Sequence, residues 1–116
     1  MVIILTNTRE AKHLLQKHTD GSYLVVIPVG WIISWQAYRG MPLVLRKQSP
    51  FITIEKRPVK DLDANTSVRL LQKWKEWMVI FPIQWVREFH WYEGMPLHLL
   101  WQDGLITITG DFSRVI

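Results

Sequence analysis

Five cations crowd one stretch of this chain. Arg39, Arg46, Lys47, Lys56 and Arg57 stand against a single acid, Glu55, between residues 23 and 57. Such a group can meet a run of backbone phosphates, each contact adding to a salt-dependent affinity. The same residues would equally suit a solvated polar face on an apolar domain. Residues 1–56 hold seven Lys/Arg against three Asp/Glu and residues 57–116 seven against seven, so the formal charge of +4 belongs to the first half. If there is an anionic partner, the first copy is the electrostatic candidate for it. The remaining reactive side chains form no catalytic pattern. His13, His18, His90 and His98 come without Cys, an HExxH pair or a carboxylate cluster, so neither a metal nor another cofactor is expected. No Ser-His-Asp set, phosphate-binding Gly loop or catalytic carboxylate pair can be assembled, and the chain reads as a non-enzyme.

The elements that must position these cations are written twice. Residues 23–54 align without a gap on residues 77–108, a spacing of 54. The shared skeleton is Val25, Pro28, Trp31, Tyr38, Gly40-Met41-Pro42-Leu43, Leu45, Gln48 and Ile52-Thr53-Ile54. Its second copy is Val79, Pro82, Trp85, Tyr92, Gly94-Met95-Pro96-Leu97, Leu99, Gln102 and Ile106-Thr107-Ile108. One structural unit built twice is implied, and two copies are too few for a solenoid. The expected arrangement is two halves packed as a pseudo-dimer. The division is 1–56, with a core unit at 23–56, and 57–116, with a core unit at 77–116, the two sharing one core in 116 residues.

Within each unit a β-rich run, Tyr23–Ile27 or Trp77–Phe81, ends at a Pro that stops the ladder and suits a helix start. Trp31, Ile32, Trp35 and Tyr38, mirrored by Trp85, Val86, Phe89 and Tyr92, give a half-buried helical stripe. Gly40 and Gly94 are expected to end that helix. A hairpin follows, turning at Gln48-Ser49-Pro50 or Gln102-Asp103-Gly104, and the Asp-Gly step is a strong turn signal. Ahead of each unit the pattern predicts a further helix. Asn7 with Glu10 resembles a capping box before Ala11, Leu14, Leu15 and His18, and Asn65-Thr66 precede Ser67, Leu70, Leu71 and Trp74. Val2–Leu5 reads as a buried strand and 57–63 as a linker. Met1–Leu5 is too short for a signal segment, no run approaches a membrane span, and the lack of Cys fits an intracellular protein, so a cytoplasmic location is expected.

This order and spacing resemble the AbrB/SpoVT/MazE family of swapped-hairpin DNA-binding domains. Ile27-Pro28 to Gly40 and Phe81-Pro82 to Gly94 reproduce the family's twelve-residue step from Pro to the turn Gly. Trp31 and Trp35, and Trp85 and Phe89, occupy its apolar helix positions. The resemblance covers both cores. It implies a mainly β, α+β chain with short helices: a tandem swapped-hairpin AbrB-like β-barrel forming an intramolecular pseudo-dimer. It also implies binding of double-stranded DNA and a role in transcription regulation. The chain departs from the family at the contact positions. DNA-binding members carry Arg before the strand-ending Pro and early in the helix. Here those positions hold Leu24 or Met78, then Ile32 and Ile33, or Val86 and Arg87. Met41 and Met95 replace the usual acid after the turn Gly.

Two functions are therefore carried forward. One is a DNA-binding regulator that meets phosphates through Arg39, Arg46, Lys47, Lys56, Arg57 and Arg87. The other is a protein-interaction module of the same fold, antitoxin-like or self-associating, whose interface candidates are Ile32, Ile33, Trp91 and Trp101. Trp91 and Trp101 have no aromatic counterpart in the first copy and suit either an interface or the core. Ile33 discriminates: packed beneath the N-terminal strand it leaves the DNA reading open, and exposed it favours the interaction reading.

Overall fold

A computed structural model describes residues 8–56 and 66–110, without the side chains of Thr66, Ser67 and Arg69. The expected strand Val2–Leu5, the linker 57–63 and Arg57 lie outside these residues. Twelve elements follow in order: β1 Thr8–Leu14, β2 Gln16–Lys17, β3 Tyr23–Ile27, α1 Val29–Trp35, β4 Pro42–Gln48, β5 Phe51–Lys56, β6 Thr66–Arg69, β7 Leu71–Lys73, β8 Glu76–Phe81, α2 Ile83–Glu88, β9 Pro96–Gln102 and β10 Leu105–Gly110.

The duplication is visible in the strand order. One sheet runs β1-β9-β10-β5-β4-β6 and the other β2-β3-β8-β7, and each order reads the same from either end once equivalent strands are exchanged. The pseudo-twofold passes between Val25 and Val79 in the small sheet and between Thr53 and Thr107 in the large one, since those equivalent residues face each other. The halves interleave. The hairpin β4–β5 is flanked by β6 and β10 from the second half, and the hairpin β9–β10 by β1 and β5 from the first. Backbone pairs close the exchange at matching points. The Gly94 amide donates to the Leu15 carbonyl at 2.7 Å and the Gly40 amide to the Leu70 carbonyl at 2.7 Å. Both glycines have positive φ, +84° at Gly40 and +86° at Gly94, where a Cβ would be strained.

The lead-in segments correct the sequence reading: residues 8–17 and 66–73 are strands, not helices. Local i, i+4 spacing loses here to pairing across the molecule. Seven residues of β1 lie opposite β9, from Thr8↔Gln102 to Leu14↔Pro96. Among the described side chains of these segments, Leu15 and Leu70 are the buried ones, while Leu14 and Leu71 are exposed. The structural counterpart of Leu15 is thus Leu70, not Leu71. Glu10 caps no helix; its carboxylate lies 2.8 Å from His98 Nε2. At Leu15 and Leu70 the chain leaves the large sheet for the small one. Both sheets consequently keep open edges, and the described strands do not make the single closed barrel that was expected. The halves still share one core. A single buried cluster contains Val25, Trp31 and Leu45 of the first half and Val79, Leu99 and Ile108 of the second.

The helices are shorter than the stripe suggests. Gln36 at φ +55° ends α1 and its counterpart His90 at φ +60° follows α2, so two non-Gly residues take the left-handed conformation. Gly40 and Gly94 lie four residues further on, and Tyr38 and Tyr92 fall outside the helices and are exposed. Pro28 and Pro82 stand at the N-cap rather than in the first turn. The Asp103-Gly104 turn forms as expected, with φ of +53° and +88° joining β9 to β10. Among the described residues, no helix is long and apolar enough to cross a membrane.

Candidate functional site

Helix α1 has two faces. Trp31, Ile32 and Trp35 are buried, while Val29 and Ile33, one turn apart on the opposite side, are 58% and 71% exposed. Ile32 is 3% exposed, and Trp91 and Trp101 are equally interior. Of the four candidate interface residues, only Ile33 reaches the surface. Trp91 packs on Phe81 and Phe89, with ring centroids 5.7 and 5.1 Å away. Trp101 lies between Trp31 and Trp35, at 5.8 and 5.6 Å. Each such contact adds about 0.5–1.5 kcal/mol beyond area burial. In this chain the unmatched tryptophans fill core space.

The cations do not form one free basic patch. Arg46 pairs with Glu55 on the adjacent strand. Lys47 crosses to the second half and pairs with Glu88 on α2. The Lys56 ammonium donates to the Trp35 carbonyl at 3.1 Å, one of the carbonyls the end of α1 leaves open. Arg39 is exposed in the turn before Gly40, and Arg87 is exposed in the last turn of α2. Exposed ion pairs contribute only about 0–1 kcal/mol each, so phosphates could compete for these cations. The interleaving also moves the charge. Lys47 pairs with α2 of the second half, whereas Lys56 bonds α1 of the first.

A cleft opens beside α1 that the cation count did not reveal. Its volume is about 620 Å³, and its walls come from β1, α1, the end of β5 and the β9–β10 turn. Arg9 donates to Ser34 Oγ at 3.0 Å, and its guanidinium stands 5.9 Å from the Trp101 ring centroid. The Trp35 indole N–H donates to the Gly104 carbonyl at 2.7 Å, tying the turn to the helix. Glu55, Lys56 and Asp103 complete the polar lining. Arg9 falls between the expected capping residues Asn7 and Glu10, and neither it nor Ser34 stands out in the sequence as a candidate. The available signal was divergence between copies: Ser34 and Trp101 stand where the other unit has Glu88 and Lys47. Those two counterparts are themselves ion-paired.

Two groups away from the cleft have displaced acidities. Burial pushes the His13 imidazole below its ordinary value of 6.5, against a smaller opposing pull from the Glu76 carboxylate. The amide and hydroxyl of Ser22 hold the Asp20 carboxyl below its usual range. Among the described residues, no group of three or more His, Cys, Asp or Glu side chains could hold a metal ion. Compared with known proteins, the chain matches no family model, no curated protein and no solved structure.

Proposed function

We propose that this chain is a single-chain swapped-hairpin protein of the AbrB-like type, working as a protein-interaction module. Its partner offers an apolar segment bearing acidic residues to the exposed face of α1. The interleaved hairpins and the pseudo-twofold strand orders support the swapped-hairpin part of this reading. One observation carries the functional part. Ile33, where DNA-binding relatives carry Arg, is 71% exposed and shares its face with Val29. An apolar pair in that place adds nothing to phosphate binding. Cations border it, since Arg9 bonds Ser34 and Lys56 bonds Trp35 on the same helix, and that is why the complementary segment is acidic. A random-peptide display selection on the intact chain tests this. Apolar sequences with Asp or Glu should be enriched, and Ile33→Arg should abolish their capture. Enrichment of basic peptides, or capture indifferent to Ile33→Arg, would overturn it.

The second reading is a DNA-binding transcription regulator. It is favoured by Arg87, exposed at the counterpart of Ile33, and by Lys47, which pairs with Glu88 of the same helix. A mobility-shift titration on duplex DNA at two salt concentrations separates the readings. The interaction module should give no salt-steep shift. If DNA binds, and Lys47→Ala with Arg87→Ala lowers the log–log salt slope by about one unit per lost contact, the DNA reading replaces it.

A further inference from the structure

We propose that the cleft beside α1 binds a small organic carboxylate that also carries a hydrogen-bond donor, an amino acid or a hydroxy acid. The cleft is built from both halves, with Arg9 on β1, Ser34 and Trp35 on α1, Lys56 on β5 and Asp103 in the β9–β10 turn. Its cations are placed but not exhausted. A guanidinium has five N–H donors in a fixed fork, and the contact with Ser34 engages one nitrogen of Arg9. The Lys56 ammonium has three donors, and the Trp35 carbonyl takes one. Together they suit one carboxylate, gripped by the Arg9 fork and steadied by Lys56. Glu55 is engaged by Arg46, which leaves Asp103 as the acceptor for a neighbouring ammonium or hydroxyl on the ligand.

The frame of the cleft is held in advance. The bond from the Trp35 indole to Gly104 fixes the turn bearing Asp103 against the helix. Trp101 lies beneath Arg9 and packs on Trp31 and Trp35. The duplication supplies an internal comparison. Ser34, Trp35 and Trp101 correspond to Glu88, Phe89 and Lys47. Glu55, Lys56 and Asp103-Gly104 correspond to Thr109, Gly110 and Ser49-Pro50. Every one of these cleft residues differs between copies that keep the Gly-Met-Pro-Leu and Ile-Thr-Ile frames unchanged. On the opposite side of the pseudo-twofold, the positions of Ser34 and Trp101 are spanned by the Glu88–Lys47 pair. Of these two equivalent places, the one beside α1 lines a cavity with polar groups, and the other holds an ion pair.

The ligand would engage the same Arg9 and Lys56 that border the proposed partner face, and it is tested on the chain alone, without a peptide. The experiment is a titration of the intact protein with L-alanine, L-lactate, acetate and inorganic phosphate, read by indole fluorescence and by the Nε1–H resonances of Trp35 and Trp101. L-alanine or L-lactate should saturate, shift both resonances and bind roughly tenfold or more tightly than acetate. Arg9→Ala should weaken that binding by a similar factor. Asp103→Asn, which keeps a residue tolerant of the left-handed turn, should remove the preference over acetate. Arg87→Ala on α2 should change nothing. The proposal is overturned if nothing saturates, if acetate or phosphate binds as well as the two acids, or if the response survives Arg9→Ala.

Discussion

Ile32 and Ile33 are chain neighbours with opposite environments, which makes them a matched test of side-chain placement. Arg at 33 enters a site already 71% exposed and should alter stability by no more than about 0.5 kcal/mol. Arg at 32 places a charge in a site 3% exposed and should cost several kcal/mol, on the order of 3–5. Urea unfolding of both variants checks the pair, and equal losses would show that α1 is rotated from the orientation described. His13 gives a pH prediction. Its folded-state pKa lies below 6.5, so between the folded and unfolded values the unfolded chain holds more protons. Stability therefore rises with pH across that window and falls as pH drops from about 6.5. Melting temperatures from pH 7.5 to 5 should show this decline, and His13→Gln should lessen it. A variant with an unchanged slope would mean that other groups control the acid limb.

At the scale of elements, equivalent strands carry unequal loads. β9 delivers Trp101 into the aromatic cluster on α1, whereas β4 delivers Lys47 to a partly exposed pair with Glu88 on α2. Trp101→Ala should cost about 3–5 kcal/mol, as large-to-small changes in a packed interior do. Lys47→Ala should cost less than about 1 kcal/mol. Denaturant midpoints at constant slope would measure both, and similar losses would contradict the division between a packed and a solvated contact. The lead-in strands teach a related lesson. β1 and β6 carry residues whose spacing also suits a helix, and their conformation follows from the unpaired hairpin edge each one meets.

The whole molecule should behave as one cooperative unit, because neither half closes its own sheets. In the large sheet each hairpin is bordered by strands from the other half, and one buried cluster draws on both. Unfolding followed by tryptophan fluorescence and by backbone dichroism should give coincident transitions. Fragments 1–56 and 57–116 should be unstructured separately and should recover sheet signal when mixed. A fragment that folds alone would refute the interleaved core. The same interleaving limits what charge counting can say. The excess of +4 belongs to residues 1–56, yet Lys47 on β4 pairs with Glu88 of α2 while Lys56 on β5 bonds Trp35 of α1, the equivalent helix of the other half.

The repeat, the Pro-to-Gly step and the Asp103-Gly104 turn were legible in the chain because they depend on local backbone limits. They pointed to the two short helices and the two-fold design; the mainly β class followed from the resemblance these features carry. Three matters were left to tertiary structure. β1 and β6 are strands because an edge from the other half offers them hydrogen bonds, which no local pattern records. Ile33 is exposed and Ile32 buried because the rotation of α1 is set by what it packs on. The cleft exists because Arg9, Ser34, Lys56 and Asp103, far apart in sequence, converge only in the folded chain, where strands of the two halves alternate in one sheet. Long-range pairing decides such convergence, and a single sequence encodes it only through the sum of contacts that the folded chain makes.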